Sequence, residues 1–226
     1  KTIILIDEYD VPLAKANEEG YYERMTMLIR NLFEQALKTN DSLYFAVLTG
    51  CLHVVKESIF TGLNNPKILS ITTVRFDEYL GFTDTEVREM LKYYDLDDRY
   101  DTVKEWYDGY RFGNVDVYCP WDVISYVDDL TDDPDIPPKD YWSNTSSNDA
   151  VRHFIEKVGN GLTKSEIEML VAGETVTKEI HEELTYNRLY DSIENIWSVL
   201  FMTGYLTQRG KPDGNRIQLT IPNREI

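Results

Sequence analysis

The stretch Ile3-Ile4-Leu5-Ile6-Asp7-Glu8 decides the fold class that we predict for this 226-residue chain. Four apolar, mainly β-branched residues form a run of strand length, which is typical of a strand buried on both faces of a parallel sheet. Two carboxylates follow this run directly. Because ligands of open α/β sheets bind beyond the carboxyl ends of the strands, we expect Asp7 and Glu8 to lie at a ligand-binding edge.

Over about the next 65 residues, further apolar runs of strand length alternate with predicted helices. Residues 43–48 predict a second strand, which ends at Thr49-Gly50. Apolar residues at helical spacing predict an amphipathic helix over 21–38, between the two strands. We also predict a short helix over 51–61 and a third strand over 68–71. The alternation of strands and helices is typical of an α/β fold.

The pattern changes near residue 82, so we predict two parts, residues 1–82 and residues 83–226. A capping box at Thr83-Asp-Thr-Glu86 predicts the start of a helix. The sequence after it predicts mainly further helices. A long helix is predicted over 188–203, followed by a hairpin over 205–221. Helices followed by such a hairpin suggest a winged-helix-like module.

Composition excludes several classes of protein. The chain has 42% hydrophobic residues, which argues against disorder, and no apolar run of the length that a membrane-spanning helix needs. Its formal net charge of −17 makes binding to nucleic acid or anionic membranes unfavourable. The two cysteines form no CxxC motif, which fits a reducing compartment, so we expect a cytoplasmic protein.

An apolar strand that ends in Asp-Glu is also the Walker B pattern of P-loop ATPases. In that interpretation Asp7 supports Mg²⁺ through water, and Glu8 orients the water that attacks the γ-phosphate. Thr49 ends the next strand at the position where such enzymes often place a polar residue near the γ-phosphate. Each pattern alone has a structural alternative, a strand-terminal acid or a Thr-Gly turn. Both occur together on strands separated by one helix, which raises the support for a nucleotide site and leaves the structural alternative open.

Seven stretches and the closing residues occur in the same order as in one protein family. They are LIDEYDVPL (5–13), LTGCLHVVKESIFTGLNN (48–65), YLGFTDTEV (79–87), WYDGYRFG (106–113), VYCPWDVISYV (117–127), YWSNTSSN (141–148), IWSVLFMTGYLT (196–207) and IPNREI (221–226). On these stretches the chain resembles the AAA-ATPase-like family of bacterial and archaeal proteins, often followed by a PD-(D/E)XK nuclease-like domain. The resemblance implies the C-terminal part of a P-loop (ASCE-type) parallel-sheet ATPase core, followed by a helical region.

The resemblance also implies roles for individual residues, with ATP and Mg²⁺ as the ligands of the intact protein. Glu8 and Thr49 are the catalytic candidates, and Asp7 is the metal-binding candidate. His53 and Lys56 are the cation candidates for binding the nucleotide. The family usually carries Arg where His53 stands, and a mostly neutral histidine would contact phosphate poorly.

One element of the family is missing from the sequence, a glycine-rich GxxxxGK[ST] loop upstream of Asp7. This loop supplies the backbone N–H groups and the lysine that hold phosphates. We therefore expect a fragment whose N-terminal part is missing and which does not bind ATP tightly by itself. A third strand over 68–71 would then lack its neighbour, which predicts an exposed sheet edge, pairing with another chain or a rearranged sheet.

Three functions remain open at this point. The leading hypothesis is an ATP-hydrolysing switch protein, and the alternative is a catalytically inactive ATPase-fold scaffold that binds a protein partner. The third is nucleic-acid binding through Arg209, Lys211 and Arg216 of the predicted hairpin, which the acidic net charge makes unlikely.

Overall fold

The computed structural model describes residues 1–51, 59–60, 63, 66–142, 161–189 and 191–226. Helices and strands alternate along the chain, so the predicted α/β class is confirmed. In chain order the elements are β1 (Thr2–Ile6), α1 (Val11–Glu18), α2 (Tyr22–Leu37), β2 (Leu43–Leu48), α3 (Asp84–Tyr93), α4 (Tyr100–Tyr107), β3 (Tyr110–Phe112), β4 (Val115–Val117), α5 (Pro120–Asp132), α6 (Gly161–Val171), β5 (Val176–Glu179), α7 (Ile193–Met202), β6 (Thr207–Asp213) and β7 (Arg216–Thr220). Short 3₁₀ helices cover Asp97–Arg99 and Tyr186–Arg188.

The described chain forms two compact units. The first unit comprises Lys1–Ile68 and Ile180–Met202, and the second unit comprises Leu69–Glu179 and Thr203–Ile226. These units do not follow the predicted division at residue 82, which stays a prediction about domains.

The first unit is built on a parallel pair of strands. β1 and β2 pair in parallel, with Ile4 opposite Ala46 and Ile6 opposite Leu48. The crossover between them runs through α1 and α2, and α2 confirms the helix predicted over 21–38. α2 buries Tyr22, Thr26, Ile29 and Phe33 on one face. A parallel pair joined by helices places the carboxyl ends of both strands at one edge, where the candidate site lies.

Two expectations for this sheet are wrong. β1 is not buried on both faces, because Leu5 is 72% exposed and Ile3 is 51% exposed. Among the described residues β1 pairs with β2 alone, so no further strand covers it. The third strand over 68–71 does not form, and the carbonyl of Ile71 instead accepts a hydrogen bond of 2.8 Å from the Gly113 backbone.

The exposed edge predicted for a strand over 68–71 is not found, because that strand does not form. It is the β1–β2 pair, rather than a strand over 68–71, that has no further strand partner within the described ranges. The helix predicted over 51–61 lies mostly outside the described residues.

The second unit has a closed core of helices and a three-stranded sheet. α3 begins at the predicted capping box, since Thr83 accepts from the Glu86 backbone and Glu86 accepts from the Thr83 backbone. α3, α4 and α5 pack around a buried cluster. Its members are Val87, Leu91, Val103, Tyr107, Tyr118, Val123, Tyr126, Val127 and Leu130. The sheet has the order β5-β7-β6, with all strands antiparallel to their neighbours.

The C-terminal expectations are confirmed in part. The predicted hairpin forms as β6 and β7, although β6 extends further than expected. The helix predicted over 188–203 begins at Ile193, after a 3₁₀ turn at Tyr186–Arg188. α7 belongs to the first unit and the hairpin to the second, so the winged-helix-like module stays a prediction. In the described part of the chain, the helices are too short or too polar to cross a membrane.

Candidate functional site

The carboxyl ends of β1 and β2 are joined by backbone hydrogen bonds that continue the sheet for one more step. Thr49 N–H donates to the Ile6 carbonyl at 2.9 Å, and Tyr9 N–H donates to the Thr49 carbonyl at 2.9 Å. The residues that follow the two strands are therefore held side by side, as the parallel arrangement predicts.

The hydroxyl group of Thr49 lies at the centre of this edge. It donates a hydrogen bond to Oδ1 of Asp7 and accepts one of 3.1 Å from the Glu8 backbone. All three side chains are exposed to solvent. The structure thus brings Asp7, Glu8 and Thr49 together at the edge where the sequence places them.

The backbone at Glu8 has an uncommon conformation. Its φ of 51° lies in the left-handed region, which a residue with a Cβ rarely adopts. Backbone strain of this kind concentrates at functional sites, where the surrounding structure holds it. Here the hydrogen bonds from Glu8 and Tyr9 to Thr49 hold the turn.

Behind the exposed carboxylates lies a buried third acid, Asp10, which is only 1% exposed. Its Oδ2 accepts a hydrogen bond of 2.8 Å from the hydroxyl of Tyr186. Gly50 packs closely against it, because a Cβ at Gly50 would lie 2.6 Å from Asp10 Oδ1 and 2.6 Å from Cε1 of Tyr9. This approach explains why the residue after Thr49 is a glycine.

Burial and the negative charges of Asp10 and Glu8 affect the pKa of the Cys51 thiol. The pKa of the Cys51 thiol is raised above its usual value, first by burial and then by the negative charges of Asp10 and Glu8. A raised pKa keeps the thiol protonated, so Cys51 is a poor nucleophile at this edge.

The exposed oxygen atoms suit a hard, hydrated cation. Mg²⁺ prefers one or two carboxylates and keeps several of its waters, and Asp7 with the neighbouring Thr49 hydroxyl offers such a set. Within the described ranges no group of three or more acidic, histidine or cysteine side chains is arranged to hold a metal ion directly. The predicted cation candidates His53 and Lys56 lie outside the described residues. The described edge therefore fits a hydrated cation. The side chains predicted to bind the phosphates are not among the described residues.

The first part of the chain is similar to a family of predicted ATPases. Residues 1–60 match the AAA-ATPase-like family, whose description is a predicted AAA-ATPase. This segment contains β1, β2 and the edge with Asp7, Glu8 and Thr49. The match confirms the resemblance to that family over these residues.

A second similarity covers the whole chain. The chain is 25% identical, over 239 aligned residues, to an uncharacterized protein in the vnfD 5′ region of Azotobacter chroococcum mcd 1. The alignment includes 100% of this chain and 41% of that protein, so the chain spans about two fifths of its curated relative. No solved structure matches the chain significantly.

Sequence reasoning did not assign a role to Asp10, Gly50 or Tyr186. Asp10 stands two residues after the Asp-Glu pair, so its proximity to the site could have been inferred. Its partner Tyr186 is 176 residues away and carries no recognisable motif, so the pairing needed the structure.

Proposed function

We propose that this chain is part of a protein that binds and hydrolyses ATP with Mg²⁺ and acts as a nucleotide-dependent switch. The observation that carries the proposal is the convergence of Asp7, Glu8 and Thr49 at the carboxyl edge of two parallel strands. The match of residues 1–60 to a predicted ATPase family supports it independently.

In this proposal each side chain has a distinct task. Asp7 would hold a hydrated Mg²⁺, and the hydrogen bond from Thr49 orients that carboxylate. Glu8 is exposed and follows directly, so it can accept a proton from an attacking water. The Thr49 hydroxyl bonds the Asp7 carboxylate and the backbone N–H of Glu8, which suits a residue that responds to the γ-phosphate.

The test uses the full-length protein and the substitution Glu8→Gln. We expect Mg-ATP to raise the melting temperature of both forms, while kcat for ATP hydrolysis falls about 10²–10⁴-fold in the variant, since glutamine cannot accept the proton. Glu89→Gln, the same change on the exposed face of α3, is the matched control and should leave turnover intact. Undiminished hydrolysis by Glu8→Gln would remove Glu8 from its role.

A protein-binding scaffold without hydrolysis is the second candidate. The exposed apolar side chains of β1 and β2, among them Leu5, Phe45 and Val47, favour it because such surfaces mark protein contacts. The absence of any melting-temperature shift with Mg-ATP in the full-length protein would favour the scaffold. The third hypothesis, nucleic-acid binding through the hairpin, stays a prediction, and one of its residues, Arg209, lies 3.9 Å from Asp116.

A further inference from the structure

Asp10 occupies the N-cap position of α1 but does not cap the helix. An aspartate at this position usually accepts a hydrogen bond from the second or third helical N–H. Here the side chain makes no capping bond, and it is turned into the protein instead. Burial of a carboxylate is costly unless it is hydrogen-bonded, so its partner matters for the fold.

The partner is Tyr186, which begins the 3₁₀ turn at Tyr186–Arg188. Its hydroxyl donates to Asp10 at 2.8 Å, and its backbone carbonyl accepts from Nδ2 of Asn17 in α1 at 3.4 Å. The pKa of the Tyr186 phenol is raised, first by burial and then by the charge of Asp10, so the phenol keeps its proton and remains a donor. The hydroxyl and the backbone carbonyl of Tyr186 therefore both attach the 3₁₀ turn to α1 and to the residue that precedes it.

Asp10 is also closely connected to the exposed acids. Gly50 packs so closely against Tyr9 and Asp10 that a Cβ on it would clash with both, and Tyr9 N–H is bonded to the carbonyl of the preceding Thr49. Close-packed contacts transmit small displacements rather than absorbing them. A shift of Thr49 or of the Glu8 turn must therefore move Asp10, and with it the hydroxyl of Tyr186.

We propose that Asp10 is a positioning residue and that its hydrogen bond with Tyr186 couples the ligand state of Asp7, Glu8 and Thr49 to residues 183–189. This inference rests on the proposed function, because it takes Mg-ATP as the ligand. In this proposal the 3₁₀ turn at Tyr186–Arg188 responds to the ligand through Asp10.

The experiment measures hydrogen exchange of residues 183–189 in the full-length protein, with and without Mg-ATP, beside a melting curve. Coupling free energies between sites typically correspond to factors of about 5–150, so we expect exchange there to change at least about fivefold. Tyr186→Phe removes only the hydroxyl and should abolish this change while Mg-ATP still raises the melting temperature. It should also lower kcat with little change in KM. Tyr44→Phe, the same change at an exposed residue of β2, should behave like the parent protein.

Asp10→Asn provides a second variant, because its side-chain oxygen can still accept from Tyr186. It should keep the exchange response, whereas Asp10→Ala should lose it. If Mg-ATP shifts the melting temperature but leaves exchange at 183–189 unchanged, or if Tyr186→Phe responds normally, the coupling is overturned and the proposed function stands. If Mg-ATP produces neither effect, both proposals fail together.

Discussion

β1 in the first unit and β7 in the second unit are both five-residue strands that carry apolar side chains, but their surroundings differ. Leu5 of β1 is 72% exposed, whereas Leu219 of β7 is 0% exposed. β7 lies between β5 and β6, while β1 has β2 as its only strand partner among the described residues. An apolar strand sequence therefore predicts extended backbone, but the neighbours decide whether the side chains are buried.

The same contrast holds for polar side chains. In the first unit Asp7, Glu8 and Thr49 are exposed at the sheet edge. In the second unit Asp122 is 0% exposed and lies beside the half-buried Glu225. Exposed carboxylates are available to a ligand, whereas buried ones must be satisfied within the protein. The acids at the β1–β2 edge are therefore accessible to a ligand, whereas Asp122 is not.

The largest expected effect tests the contrast between the strands directly. Leu219→Ala removes a fully buried side chain, so it should lower the free energy of unfolding by about 2–5 kcal/mol. Leu5→Ala, the same change at an exposed strand position, should change it by no more than about 0.5 kcal/mol. Urea denaturation of the full-length protein, followed by hydrogen exchange to separate the units, measures both.

The loss of stability in Leu5→Ala shows whether β1 is exposed in the full-length protein. A small loss means that β1 presents an open apolar face in the full-length protein. A loss as large as that of Leu219→Ala means that another part of the full-length protein covers β1, which would overturn the contrast drawn from the described residues.

A pH-dependent effect is expected from the carboxyl pair of Asp122 and Glu225 in the second unit. Glu225 Oε1 accepts from the backbones of Tyr141 at 2.6 Å and Trp142 at 2.8 Å. Burial, and then the neighbouring carboxyl group of Asp122, raise the pKa of Glu225 to about 8. The folded protein therefore binds a proton that the unfolded chain releases at a lower pH. The Cys119 thiol beside Asp122 does not interfere, since burial raises its pKa to about 12.

The sign of the pH dependence follows from this difference in proton binding. Stability falls with pH wherever the folded state holds more protons, so the Glu225 contribution is present at low pH and declines from about pH 4.5 to about pH 8. Glu225→Gln should flatten this decline in the urea midpoint. Glu105→Gln, which breaks the exposed ion pair with Arg224 at 2.8 Å, should leave the slope unchanged. An unaltered slope in Glu225→Gln would show that Glu225 is ionised in the folded protein.

The sequence predicted the features that depend on local chemistry. The helix over 21–38, the capping box at Thr83 and the side-by-side ends of β1 and β2 all follow from neighbouring residues or from strand direction. The strand over 68–71 was wrong because a strand needs a partner, and the Ile71 carbonyl is bonded to Gly113 instead. The burial of β1 was wrong because the face that carries Ile3 and Leu5 is exposed in the described structure.

Long-range pairings were beyond sequence reasoning. The bond between Asp10 and Tyr186 joins residues 176 positions apart, and nothing in either local pattern specifies the other. The carboxyl pair of Asp122 and Glu225 is similar, because two acids in a very acidic chain are expected to avoid one another. Such contacts depend on packing that no local pattern determines.

The smallest change in stability is expected at the helix N-caps, which differ between the two units. Thr83 caps α3 with its hydroxyl, whereas Asp10 leaves α1 without a side-chain cap and bonds Tyr186 instead. Thr83→Ala should therefore destabilise the second unit by about 1 kcal/mol, the usual value of an N-cap. Thr85→Ala, two residues later and exposed, is the matched control, and it should be neutral or slightly stabilising because alanine favours the helix.

Hydrogen exchange at the first turn of α3 reports this loss. Faster exchange in Thr83→Ala and unchanged exchange in Thr85→Ala would assign the effect to the capping box rather than to the loss of any threonine. Equal effects of the two variants would mean that the cap contributes nothing measurable. The second unit would then owe its stability to its apolar core alone, and the contrast with Asp10 would lose one of its supports.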